Sequence, residues 1–479
     1  MDHTITLPLW LVIITALFAL WAAISRLLVP GVRWFLRRRA NRLIDRMNER
    51  MDLRIPPIAL TKREVIIDRL VYDPLVIAEV SEYCERENVP RDVAMDLVRR
   101  YAKEVAPAFN AYMYFRFGSW ISKRVVERLY RVRLGYADRS NLEAVDRNAS
   151  VVLVMNHRSN IDYVLVAYLV LERVALSYAV GEWARVWPLQ QLIRSLGAYF
   201  VRRDSGNPLY RRVLQRYVQM AVDGGVTQAI FPEGGLSRDG RLRGARIGLL
   251  DYMLRDFDPT GDRDIVFVPV AINYDRVLED RTLLNEGDPK AEAKSGFEAV
   301  KLGFVILARG IRLKLAGNFY RFGYACANFG TPISLKAYAQ RHHWQPNAED
   351  REQRFEKVSS LANHLMGAVG ELIPVLPVSL LATILLQRPD HWHSTDELRN
   401  QTRAWMERLE ASGAHVYIPR KDPDYFVEVG LRMLRLRHAV TEKDSAYRVV
   451  AEEQRLLAYY ANAIAFAHGP RFSTTGDGA

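Results

Sequence analysis

Cysteine is scarce in this sequence: Cys84 and Cys326 are the only two among 479 residues, and neither lies in a CxxC pair. This scarcity disfavours a disulfide framework and a thiolate zinc site, and it fits a reducing compartment. Repeats and low-complexity tracts are not evident either. The apolar share of 49% and the charged share of 25% are ordinary for a globular chain, which disfavours extensive disorder. The length is enough for roughly two to four domains.

Acidic residues are outnumbered by basic ones, 55 against 67, which gives a formal net charge of +12 and a pI near 9.6. Such a surplus suits an anionic partner: a nucleic acid, anionic lipid headgroups or a phosphorylated substrate. No nucleic-acid-binding motif occurs, and half of the surplus lies in one segment beside an apolar stretch. We therefore expect no nucleic-acid partner.

One long uncharged stretch, residues 7–24, lies near the start of the chain, with Trp10 and Trp21 near its two ends. A spanning helix needs about 20 apolar residues and commonly carries interfacial aromatics. Residues 26–50 carry eight arginines against two acidic residues, a local charge of +6. We predict that residues 1–50 form a membrane anchor and a basic juxtamembrane segment that contacts phospholipids. A cleaved signal peptide, a monotopic hairpin and a buried helix are the alternatives.

The positive-inside rule places everything after this segment in the cytoplasm, so the expected location is the cell (inner) membrane with a cytoplasmic catalytic domain. Residues 51–145 show helical patterns, and residues 146–335 alternate short β-branched runs with longer helical patterns. Residues 336–479 are again helical. The predicted fold class is α/β: a sheet flanked by helices, with helical regions before and after it.

Six short runs are predicted to be strands of this sheet: Val151–Met155, Ser177–Val180, Ala198–Arg202, Thr227–Phe231, Ile265–Asn273 and Tyr324–Phe329. Pro269 lies inside the fifth run and predicts an edge strand or a bulge, because proline cannot donate to a ladder. Asn207-Pro208 predicts a helix start and Gly224-Gly225 its end.

The first of these strands leads into two candidate reactive residues. A polar turn after it carries His157 and, five residues later, Asp162. On one continuous helix this offset would turn the side chains roughly 140° apart, so contact requires a bend between a loop and the next helix. We predict that Asp162 binds one ring nitrogen of His157 and leaves the other free to take a proton. Taken alone, the pattern also fits a loop histidine beside an Asp helix cap.

Two further strand ends carry groups suited to an anion. One ends in Arg202 and Arg203, which can grip phosphate bidentately but which also fit ordinary surface charges. The other is glycine-rich at Gly234 and Gly235, where backbone amides can approach a ligand closely. Its side-chain donors are Ser237, Arg238, Arg241 and Arg243. The alternative is a glycine-rich turn with a solvated basic face.

Histidines of the C-terminal region are not expected to bind a metal. His391-x-His393, like His342-His343 and His415, has no consistent carboxylate or cysteine partner in the pattern. Two histidines at this spacing can bind a metal from a strand, but these follow Arg-Pro-Asp in a predicted loop. We predict no metal site.

Four blocks in order resemble the signature of the glycerolipid acyltransferase superfamily: His157-x4-Asp162, Gly197–Arg203, Phe231-Pro-Glu-Gly and Val268-Pro-Val. The stretches His157-Arg-Ser-x-x-Asp-Tyr and Glu233-Gly-Gly-x-Ser-Arg-x-Gly-Arg are most similar to the membrane glycerol-3-phosphate acyltransferases. Pro374–Leu380 resembles a stretch that follows the core in that branch. The resemblance covers about 150–335 well, 336–385 loosely and the N-terminal part hardly at all.

This resemblance implies an acyltransferase-type mixed sheet and transfer of a fatty acyl group from a thioester to the sn-1 hydroxyl of glycerol 3-phosphate. The product would be lysophosphatidate for phospholipid synthesis. His157 would be the general base and Asp162 its orienting partner. The matching substrate-binding residues are Arg202, Arg203, Glu233, Gly234, Gly235, Ser237 and Arg238 for the glycerophosphate, with Pro269 and Tyr274 for acyl-donor positioning or catalysis.

No cofactor is expected, since acyl-CoA or acyl carrier protein would supply the acyl group as a co-substrate. A GxSxG motif is lacking, so we expect direct transfer in one ternary complex and no covalent acyl-enzyme. Leu236 stands where the family usually has arginine, which leaves lysophosphatidate or another lysolipid open as the acceptor. An inactive membrane-tethered scaffold is the alternative from another class.

Overall fold

The computed structural model describes residues 61–110, 113–170, 176–181, 189–202, 205–286, 321–347 and 350–468. The candidate anchor and basic segment at residues 1–50 lie outside this set. Within the part of the chain that is described, no helix combines the length and apolar character needed to cross a bilayer.

A helical region precedes the sheet. Its elements are α1 (Arg63–Val71), α2 (Pro74–Glu87), α3 (Arg91–Val105), a π-helical turn (Met113–Gly118) and α4 (Ser119–Leu129). Helix α2 begins at a proline, and the side chain of Asp73 accepts hydrogen bonds from the backbone N–H groups of Leu75 and Val76. A capping carboxylate followed by proline is a strong start signal for a helix, in agreement with the helical patterns predicted for residues 51–145.

The main sheet has eight strands: β1 (Arg131–Ala137), β2 (Ser150–Met155), β3 (Ser177–Gly181), β4 (Tyr199–Val201), β5 (Gln228–Ile230), β6 (Ile265–Tyr274), β7 (Tyr324–Phe329) and β8 (Ile333–Ser334). Their order is β1-β7-β6-β2-β5-β3-β4, and β8 also pairs with β6. All neighbours are parallel except β7 and β8 against β6. Strands β2, β6 and β7 are buried along their whole length, as apolar runs covered on both faces should be. The predicted α/β class is confirmed.

Helices connect these strands: α5 (Arg139–Glu143), α6 (Asp162–Val170), α7 (Leu189–Ser195), α8 (Pro208–Asp223), α9 (Gly248–Leu254) and α10 (Asp280–Glu286). Helix α8 packs against α2, α3 and α9. Its start is capped by Asn207, whose side chain accepts from the N–H of Tyr210 at 3.2 Å, and Gly224 follows its last residue. Both predicted boundaries are confirmed.

All six predicted strands are present, each within one residue at either end. Strand β1 was not predicted, because residues 51–145 were interpreted as a helical region. Strand β1 is largely exposed and carries Arg131 and Arg133, so it lacks the apolar run that identifies the central strands. It is defined by pairing with β7, far along the chain. The sheet therefore extends into the region 51–145.

The placement of Pro269 at an edge or a bulge was wrong, because β6 is a central strand between β7 and β2. Pro269 is aligned with Val154 in the parallel ladder, and its carbonyl accepts from the N–H of Gly330 at 2.9 Å. The N–H and C=O of one strand residue point to the same side. Because the carbonyl of Pro269 faces Gly330, the position where its N–H would be also faces the turn between β7 and β8. No ladder partner is needed there, and a proline is tolerated.

The C-terminal region adds α11 (Leu335–Arg341), α12 (Arg351–Glu371), α13 (Pro377–Leu385), α14 (Thr395–Ala411), α15 (Pro423–Leu436) and α16 (Gln454–Asn462). It also contains a small antiparallel sheet of β9 (His393–Ser394), β10 (Val440–Lys443) and β11 (Ala446–Val449) in the order β10-β11-β9. The region was predicted to be helical, and strands of two to four residues are too short to show a pattern.

Buried amides join this region to the antiparallel part of the main sheet. Asn273 donates to the carbonyl of Pro374 at 2.9 Å, and Asn328 donates to the carbonyl of Leu372 at 2.7 Å. A buried polar group without a partner costs about 1–3 kcal/mol, so these bonds select one placement of the segment between α12 and α13. Helix α12 packs directly on β2 and β6, and one hydrophobic core runs through both regions.

A buried carboxyl group lies at the same junction. Asp275 accepts from the N–H of Tyr324 at 2.7 Å and from the N–H of Val378, in the first turn of α13, at 3.1 Å. Burial raises the pKa of Asp275 to about 7, against an ordinary value of 3.8. The folded protein therefore holds this proton more tightly than the unfolded chain does, and this contribution to stability is lost as pH rises toward 7.

We expect the variant Asp275→Asn, which cannot ionise, to gain stability relative to the parent by about 2–3 kcal/mol between about pH 5 and about pH 8. The measurement is denaturant unfolding of both proteins across this range. Asp390→Asn, at an exposed position, is the control and should follow the parent. Parallel curves for parent and Asp275→Asn would show that the buried carboxyl does not titrate with a raised pKa.

Candidate active site

The loop after β2 is fixed to the neighbouring strand by the side chain of Asn156. Its amide donates to the carbonyl of Ile272 at 2.9 Å, and its oxygen accepts from the N–H of Ile272 at 2.7 Å. The side chain thus continues the ladder one residue beyond β2, where the chain turns away. The loop leaves from the carboxyl end of the parallel strands, the edge at which open α/β sheets place reactive groups.

His157 and Asp162 meet as predicted: Nδ1 of the histidine lies 2.9 Å from Oδ2 of the aspartate, and both side chains are buried. The same Oδ2 accepts from the N–H groups of Arg158 at 2.7 Å and Ser159 at 3.0 Å. An oxygen that accepts two backbone donors acts as a carboxylate, so Nδ1 carries the proton of the imidazole bond. The Nε2 atom of neutral His157 then has a free lone pair.

Tyr274, at the end of β6, lies behind this pair. Its hydroxyl donates to Oδ1 of Asp162 at 2.6 Å. Burial, followed by the charge of Asp162, raises the pKa of Tyr274 well above its ordinary value, so it remains a donor. Both oxygens of Asp162 are therefore occupied. The position of Tyr274 matches an orienting residue for the carboxylate; its role toward the acyl donor stays a prediction.

The glycine-rich loop binds the main chain of His157 on both sides. Oε1 of Glu233 accepts from the N–H of His157 at 2.8 Å, and the N–H of Ser237 donates to the carbonyl of His157 at 3.1 Å. Oε2 of Glu233 accepts from the N–H of Arg243 at 3.1 Å. Burial raises the pKa of Glu233 to about 7. Glu233 thus holds two loops together through both of its carboxylate oxygens, and its role toward a substrate stays a prediction.

Two glycines of this loop are required by its geometry. Gly234 has φ of 69°, and a Cβ there would lie 2.5 Å from Cδ of Arg246. Gly240 has φ of 90°, and a Cβ there would overlap the carbonyl oxygen of Tyr459. Residues that carry a Cβ atom rarely adopt this left-handed backbone conformation. Ser237 is buried, and its hydroxyl donates to the carbonyl of Arg241 at 2.7 Å, so it closes the loop internally.

Of the two arginines predicted at the end of β4, Arg202 and Arg203, the structure describes only Arg202. Arg202 makes a bidentate ion pair with Glu104 on α3, at 2.8 and 2.7 Å, between the rings of Tyr101 and Tyr210. The hydrogen bonds to Glu104 raise the pKa of Arg202. These two bonds use Nε and Nη2 and leave Nη1 out, and Arg202 lines the same pocket as His157. Arg203 lies outside the described residues.

Arg238 and Arg246 are exposed, and their side chains make no hydrogen bond or ion pair with any residue that the structure describes. Arg246, which the sequence did not single out, packs over Gly234 and lines the pocket beside His157. The only sequence signal for it was a basic run after the glycines.

This pocket has a volume of about 360 Å³. The ring of His157 forms part of its wall, with Phe231 at 4.1 Å and Tyr163 at 5.6 Å between ring centroids. Its polar side contains Gly234, Gly235 and Arg246. Much of the remaining wall is apolar and comes from Val180, Val201, Leu214, Ile230, Leu249 and Tyr252. The pocket therefore combines a group that can take a proton, arginine side chains and apolar side chains that can contact an acyl chain.

Glu279, a second residue that the sequence did not reveal, supports the loop from below. Its carboxylate accepts from the hydroxyl of Ser159 at 2.7 Å and from the N–H of Asn160 at 3.3 Å. Burial raises the pKa of Glu279. The adjacent Asp280 forms a buried ion pair with Arg437 of the C-terminal region. No local pattern links these residues to His157.

Helix α16 contacts both loops. The guanidinium of Arg158 lies 4.7 Å from the ring centroid of Tyr459 and donates to the carbonyl of Gly240. Asn462 donates to the carbonyl of Asp239 at 2.9 Å. The C-terminal region therefore helps to hold both loops of the site in place.

Two family matches follow one another along the chain. Residues 137–273 match the family described as Acyltransferase, and residues 313–467 match the region described as Glycerol-3-phosphate acyltransferase C-terminal region. Both stretches are similar to parts of the glycerolipid acyltransferase superfamily. The second match extends well beyond the loose resemblance at residues 336–385, so the sequence interpretation underestimated how much of the C-terminal region this superfamily shares.

The curated relatives agree with these two matches. The glycerol-3-phosphate acyltransferase of Pasteurella multocida strain Pm70 is 27% identical over 419 residues, which cover 85% of this chain and 50% of the relative. That of Pseudomonas paraeruginosa strain DSM 24068 / PA7 is 34% identical over 339 residues, 68% of this chain and 39% of the relative. The chain thus spans half or less of the length of these curated relatives.

Proposed function

We propose that the protein is an O-acyltransferase that moves a fatty acyl group from a thioester donor to the sn-1 hydroxyl of glycerol 3-phosphate. The observation that carries this proposal is the Nδ1 bond of His157 to Asp162, which leaves Nε2 unprotonated beside the pocket. The relatives named glycerol-3-phosphate acyltransferase support the choice of acceptor.

In the proposed reaction, Nε2 of His157 takes the proton of the acceptor hydroxyl as its oxygen attacks the thioester carbonyl. The tetrahedral intermediate then expels the thiolate, and the imidazolium of His157 gives its proton to the thiolate. An ester bond forms and a thioester bond breaks, so the products are lysophosphatidate and a free thiol. General-base catalysis of this kind contributes about 10²–10⁴-fold to a rate. Asp162 stabilises the transient imidazolium.

Arg246 and Arg238, with Arg203, are proposed to bind the phosphate of the acceptor, because planar guanidinium groups bind phosphate oxygens bidentately. The apolar wall of the pocket is proposed to hold the acyl chain. No resident cofactor is invoked: acyl-CoA or acyl carrier protein brings the acyl group as a co-substrate. We place the reaction at the cytoplasmic face of the inner membrane, with residues 7–24 as the anchor.

A lysolipid acceptor is the second candidate, and Leu236 is the observation that favours it. This partly buried residue packs against the core and stands where the resemblance leads one to expect arginine. The loss of this expected phosphate ligand leaves a lysolipid open as the acceptor.

The test is an acyl-transfer assay of the purified full chain in detergent, with radiolabelled glycerol 3-phosphate or lysophosphatidate as the acceptor and acyl-CoA or acyl carrier protein thioester as the donor. Lysophosphatidate formation supports the first proposal, and phosphatidate formation alone replaces it with the second. A chain that binds the substrates without turnover with any pair would instead be an inactive membrane-tethered scaffold.

We expect Arg246→Ala to raise the KM for glycerol 3-phosphate about tenfold, which corresponds to about 1.4 kcal/mol, and to leave the KM for the acyl donor unchanged. The reason is the loss of a phosphate contact that donor binding does not use. Initial rates at varied acceptor and donor concentrations provide the check. Arg341→Ala, an exposed arginine at the end of α11, is the matched control. Equal increases in both KM values would assign Arg246 a structural role.

A further inference from the structure

A second group of metal-ligating side chains lies in the C-terminal region. The expectation that the histidines of His391-x-His393 lack a carboxylate partner was wrong, because the first turn of α14 brings Glu397 beside them. Each of the three residues offers one ligand atom, and these atoms lie within 4.8 Å of one another. Nε2 of His391 is 3.2 Å from Oε2 of Glu397, and Nδ1 of His393 is 3.8 Å from Oε1.

The 3.2 Å spacing between Nε2 of His391 and Oε2 of Glu397 is close to that of a tetrahedral zinc site. Zn–N and Zn–O bonds of about 2.0–2.2 Å place tetrahedral ligand atoms about 3.4 Å apart. The 4.8 Å limit on the distances among the three ligand atoms is somewhat longer, so the side chains must move closer together to share one ion.

The backbone fixes two of the three residues relative to each other. His393 lies on β9, where it pairs with Tyr447 of β11. Ser394 caps α14, and its hydroxyl accepts from the N–H of Glu397 at 3.1 Å. In a common capping arrangement the glutamate at this position turns back to the cap residue's N–H, whereas here it faces the histidines.

The tautomer of His393 provides an independent sign of a ligand. Its Nε2 lies 3.1 Å from the carbonyl oxygen of Arg388, which can only accept, so Nε2 carries the proton. Its Nδ1 is then a bare lone pair, is buried, and has no hydrogen-bond partner. The side chain is 1% exposed. Histidines that bind metals usually donate their other ring N–H to a carbonyl or carboxylate in this way.

We propose that Nε2 of His391, Nδ1 of His393 and the carboxylate of Glu397 bind one Zn²⁺ ion. Two imidazoles and one carboxylate are a donor set that zinc uses in proteins, with a fourth position for water. His391 is 43% exposed, so this position opens to solvent. A bound ion would join the turn after α13 to the start of α14 and supply the partner that Nδ1 of His393 lacks.

The charges around the carboxylate set the mode of binding. Oε1 of Glu397 is already held by the guanidinium of Arg388 and by the amide of Gln401, the latter at 3.1 Å. The ion is therefore bound through Oε2, and Arg388 remains an outer partner through both its guanidinium and its carbonyl. Because Arg388 repels a divalent cation, we expect an affinity in the micromolar range and not the far tighter binding of thiolate sites.

The test uses the full chain, stripped with EDTA and then titrated with zinc sulfate alone in competition with a chromophoric chelator. We expect one zinc ion per chain and a loss of affinity of at least tenfold in His391→Ala. His342→Ala, which removes one of two adjacent histidines in the same region, is the matched control and should bind as the parent does. Zinc should raise the Tm of the parent by a few degrees and leave that of His391→Ala unchanged.

Cobalt(II) supplies a second readout that reports the ligands directly. Tetrahedral coordination should give intense visible ligand-field bands in the parent, which His391→Ala abolishes. Equal zinc binding by the parent and His391→Ala, or less than one zinc ion per chain at millimolar zinc, overturns the proposal. His391 is chosen because its exposed side chain can be removed without emptying the core, whereas a His393 variant can fail by unfolding. Neither readout depends on acyl transfer.

Discussion

Replacing His157 with alanine should lower the rate of acyl transfer by about 10²–10⁴-fold and leave the fold intact. Asp162 holds the ring through Nδ1, which leaves Nε2 as the ring atom that can accept a proton beside the pocket. The main chain of His157 makes the bonds to Glu233 and Ser237, and an alanine keeps both. The loss should therefore fall on kcat more than on either KM.

The measurement is the acyl-transfer rate of purified His157→Ala at saturating substrates, beside its Tm and its recovery in the membrane fraction. His364→Ala, at an exposed position on α12, is the control and should retain full activity. Turnover within threefold of the parent would remove the general-base assignment. An inactive variant with a much lower Tm would instead show that the ring of His157 is needed for packing against Phe231.

The second large effect is expected for Asp162→Asn. The carboxylate accepts four hydrogen bonds, from Nδ1 of His157, two backbone N–H groups and the hydroxyl of Tyr274. The amide of asparagine has only one acceptor oxygen. Its NH₂ group would face the donors that now bind the second carboxylate oxygen. We expect transfer to fall by about 10²–10⁴-fold and stability by about 1–3 kcal/mol, since at least one buried donor loses its partner.

A double variant separates the two roles of this carboxylate. If Asp162 acts through the histidine, His157→Ala with Asp162→Asn should transfer acyl groups no more slowly than His157→Ala alone. Multiplied losses in the double variant would mean that the two residues act independently. Unfolding midpoints of all four proteins measure the stability cost of the amide separately from the chemistry.

The parts of the fold that could be predicted from the sequence depend on residues near one another in the chain. The apolar run before His157 identified β2, and the five-residue spacing to Asp162 required the bend that the structure contains. The Asn207 cap and Gly224 identified both ends of α8. In each case the decisive interactions span one turn or one strand, so their signal lies within a short window.

The parts that could not be predicted depend on partners distant in sequence. Arg202, which was predicted to bind phosphate, lines the pocket with His157, but its ion pair with Glu104, on a helix of the N-terminal region, was not predicted. Glu279 supports the loop that carries His157 across more than a hundred residues. Strand β1 has no apolar run and is defined by β7. Whether a polar side chain contacts solvent, a substrate or another side chain depends on which element the fold places beside it.

The contacts of α16 have a consequence for how this chain can be rearranged. Tyr459 lies against Arg158 of the loop that carries His157 and closes over Gly240 of the glycine-rich loop, although the two family matches assign these residues to different regions. A chimaera that exchanges either region with a relative must therefore carry the complementary face of α16 with it. The boundary between the two family matches is not a boundary in the packing, because both loops depend on residues from either side of it.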